Sequence, residues 1–335
     1  MKIILSIDVE AHRSRQEISG GPVDGLGRIL EALAQHSVPA TFFVDLCEAR
    51  TWGIDYMEAV SKAILKYKQD IQLHAHPHHY SGDSNRWLLH EYSCSEQKEL
   101  LEYAVGNFTR FVGRKPRAFR AGGFGANDDT FDLLRTHGIV IDSSYLYRHP
   151  HCHFIPPAST SPSMYRSVLE IPLTPVVTLG TARYPLRVAA LDFNWLPLTV
   201  MQNVLLTLRD SGSPYAIVLM HSSSLFQRSS RSGFTYKAEN LQKLNVLLEF
   251  LQERKFQLTV FQDIPAEEAP TPPGRFSPII VSNPLRQYGI LRYQARVGNR
   301  FSLPMKLFRW AHSFGLIAAL LLGCWAIARM VRLHP

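Results

Sequence analysis

Cysteine is scarce in this chain and never paired locally. Cys47, Cys94, Cys152 and Cys324 are spread over 335 residues with no CxxC spacing. That excludes a dense disulfide framework and a cysteine-built zinc ribbon, and it suits free thiols in a reducing compartment. Internal repeats are absent, which argues against solenoids and propellers. Acidic residues stop at Glu268. From Ala269 onward there are nine Lys and Arg against no Asp or Glu, so this tail carries +9, and with +8 for the whole chain residues 1–268 stand at −1. The basic balance therefore belongs to the tail, and nucleic acid is not an expected partner. No long apolar run opens the sequence either: Met1 to Asp8 enters a strand directly, too short for a secretion signal, which leads us to expect a cytoplasmic body. With 46% hydrophobic and 19% charged residues the chain is globular and able to bury a sizeable core.

What is present in excess is histidine, concentrated in Ile71-Gln72-Leu73-His74-Ala75-His76-Pro77-His78-His79-Tyr80. The apolar lead-in reads as a buried strand. Side chains alternate along a strand, so Gln72, His74 and His76 share one face. If Pro77 ends the strand, the chain turns and His78 comes back within reach of His74. Imidazoles converging at a strand end supply half of a transition metal's coordination shell.

The rest of the chain alternates strands with helices. Lys2 to Asp8 reads as a buried strand, after which Asp8, Glu10 and His12 point one way. A helical pattern covers 23–36, and Pro39 to Asp45 is the second strand. Helical patterns at 53–69 and 95–112 flank the histidine strand. Pro116 to Gly125 is a short strand entering a glycine-rich turn, followed by a helix that Asn127 caps and Gly138 ends. Ile139 to Asp142 and a segment near Val168–Pro172 are further strands. A helix at 197–211 precedes the apolar strand Tyr215 to His221. A helix at 236–254 leads to a closing strand, Phe256 to Phe261. This order indicates an α/β fold with a parallel sheet, open or closed into a barrel. Asp8, Glu10, His74, His76, Arg120, Asp142 and His221 nearly all fall at C-terminal strand ends, where such folds place active sites.

These residues resemble the polysaccharide deacetylases, the NodB-homology carbohydrate esterases. Ser6-Ile7-Asp8-Val9-Glu10 is similar to the family's first motif in a variant with one spacer between acids. Ala40 to Val44 is similar to its second strand. His74 with His78 matches an i, i+4 histidine motif, and His74 with His76 a His-x-His subgroup. Phe119-Arg120-Ala121-Gly122, Asp142-Ser143-Ser144 and Leu219-Met220-His221-Ser222 resemble the motifs that follow, in order. The resemblance spans residues 1–265. Gly123 replaces the aromatic expected after the arginine.

The resemblance implies an irregular (β/α)-barrel of about seven parallel strands and metal-dependent hydrolysis of an N-acyl amino sugar. It implies Glu10, His74 and either His76 or His78 as ligands of a divalent metal, Zn2+ foremost, with Co2+, Ni2+ or Mn2+ as alternatives. Asp8 is then the general base, Arg120 its orienting cation, and His221 the acid that protonates the leaving amine. Asp142 would tune His221, and backbone N–H groups at Gly122 and Gly123 would stabilise the oxyanion. His12, Asp45 and Trp195 could line the pocket, but each reads more simply as a structural residue. A barrel amidohydrolase acting on a small cyclic amide is a competing reading, as is an inactive, membrane-attached partner in glycan assembly.

Beyond a basic linker over 266–305, residues 306–335 hold the run Trp310 to Ala328, 19 residues without Asp, Glu, Lys or Arg. Lys306, Arg309, Arg329 and Arg332 bracket it, with Trp310 and Trp325 near its ends. This spacing predicts a C-terminal hydrophobic helix anchoring the enzyme in the cytoplasmic membrane. A tethered enzyme of this kind suits an envelope polysaccharide or lipid-linked glycan substrate.

Overall fold

The computed structural model describes residues 1–10, 24–180, 185–229, 233–266, 279–280, 287 and 289–293. Its first strand, β1 (Lys2–Val9), is apolar on both faces because both are covered, as parallel sheets require. Seven parallel strands line up in the order β10 (Tyr215–His221), β1, β2 (Thr41–Asp45), β3 (Asp70–Ala75), β4 (Ala118–Ala121), β5 (Ile141–Asp142) and β7 (Val168–Glu170). A short antiparallel β6 (Ser163–Tyr165) edges β7, and β13 (Gln257–Leu258) pairs with the start of β1. The curled sheet forms a half-barrel that is open among the described residues, in place of a closed barrel.

Helices α1 (Asp24–Gln35), α2 (Ile54–Lys66), α4 (Cys94–Val112), α5 (Asp128–Thr136), α6 (Leu198–Asp210) and α7 (Ala238–Glu253) cross between the strands. A one-turn α3 (Pro77–Ser81) follows β3 directly. Ser93 caps α4 in a capping box with Glu96, and Asn127 caps α5, as its sequence suggests. Two features were not legible in the sequence. A satellite sheet joins β8 (Pro175–Gly180) to β9 (Pro185–Ala190) and β14 (Ile279–Ile280), and β11 (Phe226–Ser229) pairs with β12 (Gly233–Tyr236). Proline at the head of β8 and β9 disguises both as loops. Of the expected closing strand, Gln257 and Leu258 pair, and Phe261–Asp263 is a helical turn.

The pleat divides the core. Ile3, Leu5 and Ile7 face the helices, with Ile71, Leu73 and Phe119 in the same cluster. Ile4, Phe43, Ile217 and Leu219 face the concave side. Polar residues at the C-terminal strand ends therefore gather on the concave face, beyond this smaller cluster. Among the described residues no helix is long and apolar enough to cross a membrane. The run Trp310–Ala328, and His12, lie outside them.

Gln72 stitches the middle of the sheet. Fully buried, it accepts from the backbone N–H groups of Arg117 and Ala118 at 3.0 and 2.8 Å and donates to Asp70 Oδ1 at 2.8 Å. Gln72→Leu keeps the volume but strands both donors, and should cost about 2–5 kcal/mol by urea denaturation. An unchanged midpoint would show that those N–H groups find other partners.

Candidate active site

Register brings the strand ends together. Asp8 stands opposite His221 on β10, His74 opposite Arg120 on β4, and Asp45 opposite His74. Ser222 ties two of these ends: its N–H donates to the Asp8 carbonyl at 2.9 Å, and its Oγ accepts from the Glu10 N–H at 3.3 Å.

Arg120, wholly buried, organises the floor. Its Nη1 donates to Asp8 Oδ1 at 2.6 Å and also to Ser6 Oγ. Nε donates to the Ser143 carbonyl at 2.9 Å, and Nη2 meets Ser143 Oγ at 3.1 Å. The guanidinium lies 4.2 Å from the centre of the Phe43 ring. A buried charge with this many partners has one rotamer available and fixes its carboxylate in turn.

Beside that pair, Glu10, His74 and His76 each bring a ligand-type atom within 4.8 Å of the others. The carbonyl of Arg120 lies 2.8 Å from His74 Nδ1. A carbonyl only accepts, so Nδ1 carries a proton and Nε2 is the ring nitrogen that faces Glu10. That Nε2 is buried, makes no hydrogen bond, and stands 3.8 Å from Glu10 Oε1. His76 Nε2 meets the same oxygen at 3.1 Å. Burial alone would lower the His74 pKa, but the carboxylates of Asp8, Glu10 and Asp45 outweigh it and push it up to about 9.

His76 keeps its place because residue 122 is glycine. A Cβ there would fall 2.4 Å from His76 Nδ1. Gly123 has φ +59°, and a Cβ on it would meet the Trp87 ring at 2.5 Å. An indole from a distant loop thus covers the position where the family resemblance expects an aromatic. His78 falls outside the trio: on α3, its ring packs 4.0 Å from that of His79.

Asp142 is placed differently from the expectation. Its oxygens accept from the Ser144 N–H and Oγ, both at 2.9 Å, and it pairs in register with Phe119 and Glu170. Phe119 belongs to the helix-side core, so Asp142 leaves β5 away from the concave cleft. Burial, and the neighbouring Asp142 carboxylate, raise the Glu170 carboxyl well above its ordinary range. The carboxylate whose charge acts on His221 is Asp192, buried between β9 and α6. Asp192 also draws Lys243, whose ammonium donates to the Leu196 carbonyl at 2.8 Å. Sequence reasoning missed Asp192 because its segment lacks a strand pattern; an acid inside Leu191-Asp192-Phe193 was the available signal.

The sequence pattern of the family described as polysaccharide deacetylase matches residues 20–141. No curated protein matches the chain. A Mycobacterium smegmatis protein assigned to the polysaccharide deacetylases shares the fold, with a TM-score of 0.52 at 17% identity over 80% of this chain and 89% of its own. A family 4 carbohydrate esterase from Streptomyces lividans, solved with acetate, gives 0.45 at 12% identity over 80% and 95%. A Bacillus anthracis pseudoenzyme of carbohydrate esterase family 4 gives 0.46 at 16% identity over 78% and 64%, so this chain spans about two thirds of that length.

Arg120→Met leaves the Asp8 charge buried and unpaired, and should destabilise the fold by roughly 3–5 kcal/mol in urea. Adding Asp8→Asn removes that charge and should recover much of the loss. A single variant as stable as the parent would refute the pairing.

Proposed function

We propose that this chain, whose residues 20–141 match the sequence pattern of the polysaccharide deacetylase family and whose fold is like that of a solved protein assigned to it, is a divalent-metal-dependent hydrolase of that family. Its substrate is an N-acyl amino sugar, N-acetyl foremost, in an envelope polysaccharide or lipid-linked glycan. The observation that carries the reading is the juxtaposition on one concave face of the Glu10–His74–His76 trio, the Asp8–Arg120 pair and His221.

The donors fit the metal. One carboxylate and two imidazoles, with the His74 proton fixed on Nδ1 by a carbonyl, are a set that Zn2+ accepts and that Co2+, Ni2+ or Mn2+ also tolerates. Bound there, a divalent cation supplies Lewis acidity, polarising the acyl carbonyl and lowering the pKa of water.

The chain's own groups do the rest. Arg120 holds Asp8 aimed, with Oδ1 engaged, and the Asp8 carboxylate takes a proton from the attacking water. His221, on the neighbouring strand, has a buried Nδ1 without a hydrogen bond and the Asp192 charge nearby; it protonates the departing amine. Gly122 lets the backbone approach the acyl oxygen closely, and its N–H stabilises the developing charge. The membrane setting is supported by the apolar run Trp310–Ala328 and its basic flanks, which would hold the catalytic body near a lipid-linked substrate.

The test is release of acyl group from N-acetyl and N-formyl amino sugars, free and lipid-linked, by metal-loaded protein. Asp8→Asn and His221→Ala should each lower kcat by about 10²–10⁴ while retaining metal. His76→Ala should weaken metal binding by roughly 100-fold or more, and His78→Ala should leave it nearly unchanged. A metal-loaded parent that deacylates none of these sugars would sink the reading.

A further inference from the structure

Two acids that the chemistry above does not use are buried together. Asp142 ends β5 and Glu170 ends β7, in register on adjacent parallel strands, so their side chains leave the same face of the sheet. Both are fully buried, and their carboxyls are hydrogen-bonded to each other. From this arrangement we infer a positioning element for the active site: Asp142 and Glu170 share one proton, and the joined pair anchors residues 143–145, which hold Arg120 and the Gly122 turn.

The geometry calls for the proton. An ionised carboxylate only accepts, so two of them cannot hydrogen-bond. Asp142 already takes the Ser144 N–H and Oγ, and Glu170 Oε1 takes the Tyr145 N–H at 3.0 Å. Glu170 Oε2 is buried and receives no N–H or O–H from any other described residue. A proton between the acids supplies the missing donor and removes one of two adjacent like charges. Among the described residues, the titratable groups that face the pair are Arg120, Tyr145 and Cys152. Burial raises the phenol and pushes the thiol up to about 12, so Arg120 is the one that carries charge. Burial also raises both acids, against the pull of Arg120.

The pair reaches the site through three consecutive residues. The Ser143 carbonyl and Oγ accept from Arg120 Nε and Nη2 at 2.9 and 3.1 Å. Ser144 Oγ donates to Asp142 and accepts from the Ala121 N–H at 2.8 Å, one residue before Gly122. Tyr145 is tied to Glu170 by its N–H. Were the proton lost, two buried charges would face each other beneath this segment and push it from Arg120. The proton itself is independent of the deacetylase reading, whereas its catalytic consequence rests on it. Unfolding exposes both acids to water, where each is ionised at neutral pH, so the shared proton is released. The contribution of the pair to stability is therefore complete below the ordinary carboxylate range and is lost as pH rises toward the folded-state value.

Full-length parent, Glu170→Gln and Asp142→Asn are unfolded in urea from about pH 5 to about pH 8. Each amide can donate where the proton stood, without titrating. The unfolding constant of the parent should rise more steeply than that of either variant, by about tenfold per pH unit. At neutral pH the infrared C=O band of a protonated carboxyl should be present in the parent and weaker by one group in each variant. Equal pH slopes in the parent and in the variants that fold, or an unchanged band, overturn the shared proton. For the positioning role, Glu170→Leu breaks the link and should lower kcat on an N-acetyl amino sugar about 100-fold at little change in KM, while Glu170→Gln restores it. A Glu170→Leu enzyme as fast as the parent overturns that role. A parent with the band and the steeper slope but no deacylation upholds the shared proton and sinks the deacetylase reading alone.

Discussion

The buried contact between Arg120 and Asp8 is the constraint on which the rest of the site depends. Charges inside a protein are tolerated only when fully partnered, and Arg120 distributes its donors over β1 and the segment after β5. Its backbone carbonyl meanwhile holds His74 in one tautomer. A single residue thus orients the carboxylate with its side chain and an imidazole with its main chain. Displacing β4 would disturb both groups together.

The sheet supplies the second constraint. Parallel strands side by side carry their C-terminal ends to one edge, and the pleat sends alternate residues to one face. Asp8, His74, Arg120 and His221 follow from that rule without special loops. Loops enter where the chemistry needs close approach. Gly122 is small enough to admit His76, and Gly123, at positive φ, lies under the Trp87 ring. At the end of β2, Asp45 and Glu48 are fully buried as well.

Much of this was legible because buried parallel strands announce themselves as apolar runs ending in polar residues. β1, β3 and β10 are of that kind, and their terminal acids and histidines were identifiable from alternation. The satellite β8–β9 hairpin was not, since prolines and short length erase its period. The face that Asp142 takes was not legible for a related reason: a two-residue strand gives too little pattern to fix it. Asp192 escaped notice because it reaches His221 from a segment without regular structure.

By itself the sequence determined the α/β alternation, the position of Asp8, His74 and His221 at C-terminal strand ends with Glu10 just beyond, and the candidacy of a metal. Those properties depend on local periodicity, which a chain carries in its order of residues. Tertiary structure alone decided that His76 and not His78 joins Glu10 and His74, that Asp192 stands beside His221, and that Asp142 and Glu170 meet. Each of those is a matter of register between strands and of what a turn can place across a gap, and such distances exist only once the sheet has curled.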